Sequence, residues 1–322
     1  MARSEFSLIA SYFSRLGAAR DDVRLGVGDD AAIVTVAAGY ELAIAVDTMV
    51  SGVHFFPDTD PYLIGYKLLA VNLSDMAAMG AEPNWMTLAL TVPQADEHWL
   101  EDFSKGLADL ALAHGVQLIG GDTTRGPLTL SLQIHGLVPQ GTALMRKGAQ
   151  PGDLIFVTGT LGDAGLGLKI AQGALTVSGA ERDYLLGRLH RPTPRVELGM
   201  ALRAVATSAI DVSDGLLADL GHILEASGVG AQIQLEQLPL SNAYRNAQPE
   251  VDYSAALGGG DDYELCFTAP AQQQQNIIER AQKTNTPITC IGTITPAPGI
   301  ICRLHGNTYQ PKLNGYDHFA ET

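Results

Sequence analysis

Acidic side chains recur in this sequence at one kind of place, the end of an apolar run. The stretch LGVGDDAAIV (25–34) sets two adjacent aspartates between a glycine and a run typical of a buried strand. An isolated buried carboxylate is costly, so something positive must compensate it. The same arrangement returns at Asp47, Asp75, Asp122, the pair Asp211 and Asp214, and the pair Asp261 and Asp262.

Lysine and arginine are scarce beside these aspartates, Arg125 and Arg146 being the main exceptions. Mg²⁺ prefers oxygen ligands and commonly takes one or two protein carboxylates together with oxygens of a phosphate substrate. The pattern therefore indicates magnesium that bridges protein and phosphate. Any one of these aspartates is more often a helix cap or turn former, so the hypothesis requires several of them to gather around one cavity.

Composition narrows the classes of protein to which the chain could belong. With 322 residues, 46% of them hydrophobic, the chain can form two domains with sizeable cores. A net charge of −15 argues against a nucleic-acid partner, and three widely spaced cysteines form neither a disulfide framework nor a zinc knuckle. The N-terminal residues do not resemble a signal peptide and no apolar run is long enough to cross a membrane, which predicts a cytoplasmic protein.

Hydrophobic periodicity predicts an alternation of helices and strands in two series. The first has helices over 5–16, 61–79 and 97–114, with strands near 31–36, 42–47, 85–92, 116–119 and 128–138. The second has strands near 154–158, 209–211, 230–235, 263–268, 288–294 and 300–304, with helices near 163–172, 181–189, 195–206, 215–226 and 271–283. The fold class is α/β (or α+β), with domains 1–140 and 141–322 joined near the linker-like segment 145–153.

Two segments resemble phosphate-binding loops. GVGDDA (26–31) fits the loose G-x-G-x-x-G/A pattern, but the polar DDVR precedes it and the strand-like AAIVTV follows, where a Rossmann loop has a strand and then a helix, so we interpret it as a false match. VTGTLGDAG (157–165) does run from a strand into a helix. Its amides could receive an anion, although a plain tight turn is the more common outcome.

Seven motifs occur in a fixed order along the chain: GDDAA (28–32), VDTMVSGVHF (46–55), NLSDMAAMGA (72–81), GGDTTRG (120–126), IDVSDGL (210–216), DYELCF (262–267) and GYDHF (315–319). Together they closely resemble the thiamine-monophosphate kinases, a family of the aminoimidazole-ribonucleotide-synthetase-like ATP-binding superfamily. The resemblance implies an N-terminal mixed-sheet domain for ATP and Mg²⁺ binding and for dimerisation. It also implies a C-terminal α/β domain that contributes to substrate and nucleotide binding.

The activity that the resemblance implies is ATP-dependent phosphorylation of thiamine monophosphate to thiamine diphosphate, in thiamine diphosphate biosynthesis, by a homodimer. The matching positions for Mg²⁺ are Asp30, Asp47, Asp75, Asp122, Asp211 and Asp214, of which Asp75, Asp122 and Asp211 are expected to be catalytic. Those for ATP are Gly121, Asp122, Arg146 and Ser213, and those for the thiamine substrate are His54, Asp262 and Tyr316. The chain departs from the family where Ala45 and Val46 replace hydroxyl residues.

Three of these positions have a plain structural alternative. His54 could hydrogen-bond a loop carbonyl, Tyr316 could close the core near the C-terminus, and Arg146 could be a surface charge. The chemistry itself fits an Asp-rich site, because the attacking phosphate oxygen is already ionised and needs no general base. The difficulty is repulsion between two polyanions, which cations relieve.

Two alternatives to a thiamine-monophosphate kinase stand at this point. One is another ATP-using member of the superfamily, although the selenide-using and hydrogenase-maturation members are expected to have a cysteine near the N-terminus or at the C-terminus, and this chain has its first at Cys266. The purine-pathway synthetase is disfavoured only by the GYDHF ending. The other alternative is a non-catalytic divalent-cation binder, but an EF-hand loop is absent from the sequence.

Overall fold

The computed structural model describes residues 5–248 and 252–311. Tyr316 and the rest of the GYDHF motif lie outside the described residues. The chain divides into two compact units, the first comprising residues 1–76 and 81–141 and the second comprising residues 77–80 and 142–322. Within the described residues no helix is both long and apolar enough to cross a bilayer.

The first unit is built on a mixed four-stranded sheet, in which all neighbours are antiparallel except β4 and β5. Its strands, in chain order, are β1 (Val23–Leu25), β2 (Ile33–Val34), β3 (Tyr40–Val50), β4 (Glu82–Val92), β5 (Gln117–Arg125) and β6 (Thr129–Pro139). The sheet order is β3-β6-β4-β5, and β1 and β2 form a separate antiparallel pair. The helices are α1 (Glu5–Leu8), continued by a π-helical turn over Ile9–Phe13, then α2 (Pro61–Ala78) and α3 (Glu97–Ala113).

Helix α2 is apolar on nearly all sides and is buried along most of its length. Pro61 stands at its first position, and the Asp60 carboxylate accepts the Tyr62 N–H at 2.9 Å. Two glycines bring α2 and α3 into backbone contact: a Cβ on Gly65 would lie 2.1 Å from the Phe103 carbonyl oxygen, and one on Gly106 would lie 2.0 Å from the Tyr62 carbonyl oxygen. Helix α2 is therefore a rigid support for the NLSD motif near its end.

The second unit is built on a seven-stranded sheet of order β13-β12-β9-β11-β7-β10-β8, in which only β9 and β12 are parallel. Its strands are β7 (Leu154–Thr158), β8 (Ser208–Asp211), β9 (Gly230–Gln234), β10 (Leu265–Ala269), β11 (Ile288–Thr295), β12 (Gly299–Leu304) and β13 (Asn307–Tyr309). Its helices are α4 (Asp163–Ala171), α5 (Gly179–His190), α6 (Val196–Leu202), α7 (Leu216–Ser227), α8 (Asn242–Ala247), α9 (Ser254–Gly258) and α10 (Gln274–Lys283).

The predicted α/β class with mixed sheets is confirmed, and the long elements fall where periodicity placed them. The elements that the sequence missed, β1, α8, α9 and β13, have only three to six residues each. A helix that short completes fewer than two turns, and a strand that short shows at most one alternation of side chains. Neither gives a recognisable hydrophobic period. One predicted helix, over 195–206, is too long, because α6 ends at Leu202.

Candidate active site

The GGD motif of the first unit lies on β5, at the edge of its sheet. Gly121 is required there, since a Cβ at this position would lie 2.0 Å from the Leu88 carbonyl oxygen of β4. Asp122 follows and is exposed. A pocket opens beside it, with apolar walls and a carboxylate at the rim, lined by Ile9, Phe13, Val27, Leu88, Leu118, Gly120, Gly121, Asp122 and Thr123.

The loop that carries Asp30 reaches the same pocket through Val27. Asp30 is exposed, and its backbone N–H donates to the Asp29 carboxylate at 2.8 Å, so the two adjacent acids form one tight turn. The structure shows why two adjacent carboxylates can stand before a strand-like run. Neither carboxylate enters the core, and the strand-like run after them contributes only the two residues of β2.

Asp47 lies on β3, the opposite edge strand of the same sheet. Its row across the sheet is Asp47, Leu132, Leu88 and Gly121, so β3 and β5 are separated by three interstrand spacings, or about 14 Å. Two aspartate side chains cannot span that distance through one Mg²⁺ with ligands at ~2.1 Å. Within one chain, Asp47 and Asp122 are therefore too far apart to share a single ion.

Asp75 is half-buried on α2, and Asn72 lies one turn before it. Asn72 is fully buried; its amide nitrogen donates to the Leu68 carbonyl at 2.9 Å, while its Oδ1 has no hydrogen-bond partner in the described part of the chain. Side chains three apart on a helix share a face, so Asn72 and Asp75 lie on the same side of α2. Oxygen donors of this kind fit Mg²⁺.

No group of three or more His, Cys, Asp or Glu side chains is arranged to hold a metal ion in residues 5–248 and 252–311. Mg²⁺ does not require such a group, because it usually retains waters and takes the remaining ligands from substrate phosphates. The residues present therefore fit a substrate-dependent ion rather than a permanent structural one. That all six aspartates share one cavity stays a prediction.

His54 closes the turn that follows β3. The Val50 backbone N–H donates to its Nδ1 at 3.1 Å, and the His54 N–H donates back to the Val50 carbonyl at 3.0 Å. A ring nitrogen that accepts leaves the proton of the neutral imidazole on Nε2. The ring thus supports this loop through Nδ1, and its role toward the substrate stays a prediction.

In the second unit two of the sequence motifs pack directly against each other. Asp211 ends β8, is buried, and pairs in register with Leu265 of β10. Beyond it, the Ser213 carbonyl accepts the Asp261 N–H at 2.8 Å, and the Val212 carbonyl accepts the Tyr263 N–H at 2.8 Å. Backbone hydrogen bonds therefore join the IDVSDGL loop to the GGGDDYEL loop.

The second of these loops is strained. Asp261 and Tyr263 have φ values of 60° and 49°, in the left-handed region that glycine prefers. Such non-glycine residues cost on the order of 1 kcal/mol each and persist where the surroundings hold them in place. Here the backbone hydrogen bonds to the IDVSDGL loop supply that constraint.

Asp219, which the sequence analysis did not single out, holds the IDVSDGL loop from inside. One carboxylate oxygen accepts the N–H groups of residues 213–215 at 3.0, 3.0 and 3.1 Å. Burial, and then the nearby Asp211 charge, raise the pKa of Asp219 to about 7, and the hydrogen bonds from the loop oppose that rise. The available signal was its spacing, an aspartate in the first turn of the helix that follows SDGL.

Asp262, like Asp219, accepts hydrogen bonds from backbone N–H groups inside the fold. It is 1% exposed, and its carboxylate accepts the Gly162 N–H at 2.6 Å and the Ala164 N–H at 3.4 Å, at the N-terminus of α4. Burial raises the pKa of this carboxyl well above its ordinary value. The amides of the VTGTLGDAG segment therefore do receive an anion, but it is the chain's own Asp262. The expected contact of Asp262 with the thiamine substrate stays a prediction.

Glu264 fixes the end of the same loop through a buried ion cluster. Its side chain is 1% exposed and accepts two bonds from Arg195, both at 2.7 Å, one from Arg188 at 2.8 Å, and one from the Thr158 hydroxyl at 2.6 Å. Arg188 also donates to the Asp262 carbonyl at 3.2 Å. Bidentate arginine contacts of this kind set orientation as well as charge balance.

The predicted nucleotide positions Ser213 and Arg146, and the predicted metal position Asp214, differ in setting. Ser213 and Asp214 are half-buried on the IDVSDGL loop, with their backbone N–H groups already bonded to Asp219. Arg146 is exposed, and its carbonyl accepts a long 3.5 Å bond from the Ser227 hydroxyl. Its side chain is accessible to a ligand, but its role stays a prediction.

Comparisons with known proteins agree over the whole chain. The family model for AIR synthase related protein, N-terminal domain, matches residues 28–138, and that for the C-terminal domain matches residues 150–305. Thiamine-monophosphate kinase of Escherichia coli (strain K12) is 53% identical over 323 residues, covering 99% of each chain.

Solved structures of similar proteins give the same picture. The crystal structure of thiamine-monophosphate kinase from Stenotrophomonas maltophilia K279a has a TM-score of 0.83 and 49% identity, covering 90% of this chain and 93% of that one. A structure of AaThiL complexed with AMPPCP and TMP has a TM-score of 0.78 and 31% identity, covering 91% and 92%.

The ion cluster around Glu264 predicts a large stability effect. We expect Glu264→Gln to lower the free energy of unfolding by about 3–5 kcal/mol, because two mostly buried guanidinium groups lose their counter-charge. The matched control is Asp183→Asn, which removes a surface pair 3.5 Å apart with 53% and 78% exposed side chains and should change stability by less than ~0.5 kcal/mol. Urea unfolding measures both, and equal effects of the two variants would contradict the assignment.

Proposed function

This chain belongs to the thiamine-monophosphate kinases, a family of AIR synthase related proteins, and we propose that it carries out that family's reaction with Mg²⁺ bound by its strand-end aspartates. The reaction is transfer of the γ-phosphoryl group of ATP to thiamine monophosphate, giving thiamine diphosphate. The observation that carries the assignment is 53% identity to a thiamine-monophosphate kinase over 99% of both chains. A relative at 31% identity was solved with AMPPCP and TMP.

The chain's own residues then have three tasks: to bind the two substrates, to orient their phosphates, and to hold the cations that reduce the repulsion between those phosphates. In the first unit we propose that Asp30, Asp75 and Asp122 hold metal beside the pocket and on α2, and that Asp47 serves a different ion. In the second unit Asp211 and Asp214 take the same role. When bound, Mg²⁺ neutralises the charge that builds up between donor and acceptor phosphates.

Catalysis needs no proton acceptor, because the attacking oxygen belongs to a phosphate that is already ionised. We propose Asp75, Asp122 and Asp211 as the catalytic carboxylates. Gly121 permits the close backbone approach beside Asp122, the Ser213 hydroxyl contacts the nucleotide, and the exposed Arg146 guanidinium binds polyphosphate. His54, Asp262 and Tyr316 are assigned to the thiamine substrate by resemblance.

The two rival functions have less support. Another superfamily activity is disfavoured by the full-length identity to thiamine-monophosphate kinases. A non-catalytic cation binder is disfavoured by the same full-length identity to an enzyme family. The cytoplasmic location stays a prediction.

We further propose that the chain forms a homodimer through β3. From residue 40 to residue 46, every second residue of this edge strand exposes a large apolar side chain on the same face of the sheet. The four residues, Tyr40, Leu42, Ile44 and Val46, are 41–60% accessible. An exposed apolar edge strand is a ready site for pairing with another chain, and a twofold axis would satisfy both copies equally.

The reaction is tested by assaying ADP release with ATP and Mg²⁺ and either thiamine monophosphate or thiamine as acceptor. We expect turnover with the monophosphate and none with thiamine, because only the monophosphate brings an ionised phosphate oxygen as nucleophile. Removing Mg²⁺ with a chelator should abolish the reaction. Equal rates with both acceptors would overturn the assignment.

Asp75 tests the metal role within the first unit. We expect Asp75→Asn to lower turnover by at least ~100-fold, because a neutral amide is a weaker ligand for Mg²⁺ and leaves phosphate repulsion uncompensated. The matched control is Asp102→Asn, which makes the same change at an exposed position on α3 and should retain full activity. Undiminished turnover of Asp75→Asn would refute its role.

The dimer surface is tested by introducing charge into the apolar row. We expect Ile44→Glu to yield a monomer in sedimentation velocity, because two like charges would face each other across the twofold axis. Leu112→Glu is the control: this leucine is 58% exposed, but it lies on α3 outside the row. A wild-type monomer, or a dimeric Ile44→Glu, would exclude this interface.

A further inference from the structure

Asp219 makes an unusual set of contacts for a helix residue. A single oxygen, Oδ2, accepts three consecutive backbone N–H groups, those of residues 213–215, at 3.0–3.1 Å. Its own N–H donates to the Gly215 carbonyl at 3.0 Å. Successive amides that converge on one point form a concave anion site of the kind that elsewhere receives phosphate. Here the chain's own carboxylate, only 3% exposed, fills it.

The loop held in this way carries chemically important groups. Ser213 and Asp214 lie on it and Asp211 directly precedes it, so their side chains depend on its backbone course. The outer side of the loop is fixed by the Asp261 N–H, which donates to the Ser213 carbonyl at 2.8 Å, and by Gly260, where a Cβ would lie 2.7 Å from that same oxygen. The inner side is fixed by the Asp219 carboxylate, which accepts three of its backbone N–H groups.

A carboxylate is a costly choice for this purpose. An asparagine has an acceptor oxygen of the same reach and would bond these amides without bringing a third negative charge beside Asp211 and Asp214. The like charges repel in the protein by itself, and a cation near the loop would relieve that repulsion. The placement therefore suits a loop that must meet a cation, rather than one that only needs a cap.

We propose that Asp219 is a positioning residue for the kinase reaction, which sets the 213–215 loop for nucleotide and Mg²⁺ without touching either. This inference depends on the proposed function. It has a direct structural consequence: the three loop amides are already occupied, so Ser213 contacts nucleotide through its hydroxyl and not through its backbone N–H.

The test uses the full chain with Asp219→Ala, which empties the amide site, and Asp219→Asn, which keeps an acceptor oxygen of the same reach. We expect Asp219→Ala to raise the half-saturating Mg²⁺ concentration or lower kcat/KM by ~10–100-fold, the usual effect of removing a group that orients metal ligands. Asp219→Asn should recover a substantial part of that loss. If Asp219→Ala does not fold, Asp219→Asn is compared with wild type, and it must still raise the half-saturating Mg²⁺ concentration measurably for the positioning role to hold.

Two readouts do not depend on turnover. Hydrogen exchange of residues 213–215 should be faster in Asp219→Ala, and the rise in Tm on adding Mg²⁺ with AMPPCP should be smaller than in wild type. The control is Asp96→Ala, which removes a carboxylate that caps α3 through the N–H groups of His98 and Trp99. It should lower Tm and leave the Mg²⁺ dependence unchanged.

The outcomes separate the two proposals. A wild-type chain without kinase activity overturns the proposed function. An active wild type together with Asp219 variants whose Mg²⁺ dependence and AMPPCP-induced Tm shift match those of wild type overturns the positioning role, even if those variants are less stable.

Discussion

The structure depends on how a chain with 35 acidic and only 20 basic residues disposes of its carboxylates. Burying a carboxylate requires compensation, and in the second unit this comes mainly from inside the fold. Backbone amides receive Asp219 and Asp262, and two arginines receive Glu264. Through these internal partners, the three acids hold neighbouring loops together.

The first unit treats its acids differently. Asp30 and Asp122 are exposed, and Asp75 is half-buried on the mostly apolar helix α2. Carboxylates with water access are available to cations, and a kinase that joins two phosphates needs them. Among the proposed metal ligands, Asp211 is the exception, because it is buried at the end of β8.

Rigid support explains several local features that would otherwise be costly. Glycines let α2 touch α3 and let β5 approach β4 beside Asp122, where any side chain would collide with a carbonyl oxygen. Left-handed backbone at Asp261 and Tyr263 persists because the adjoining loop bonds both amides. These constraints reduce the freedom of the segments that carry the proposed ligands, as pre-organised catalysis requires.

Periodicity and motif order were enough to determine the α/β class, the long helices and strands, and the family, because each depends on residues close in sequence or on strings preserved whole. The sequence also located the aspartates, but it could not show which of them have hydrogen-bond partners inside the fold. Only the tertiary structure decided that Asp262 caps α4, that Asp219 supports the IDVSDGL loop, and that Asp47 and Asp122 lie on opposite edge strands of one sheet. The reason is physical: the state of a carboxylate is set by burial and by donors that are distant in sequence, such as Gly162, 100 residues from Asp262.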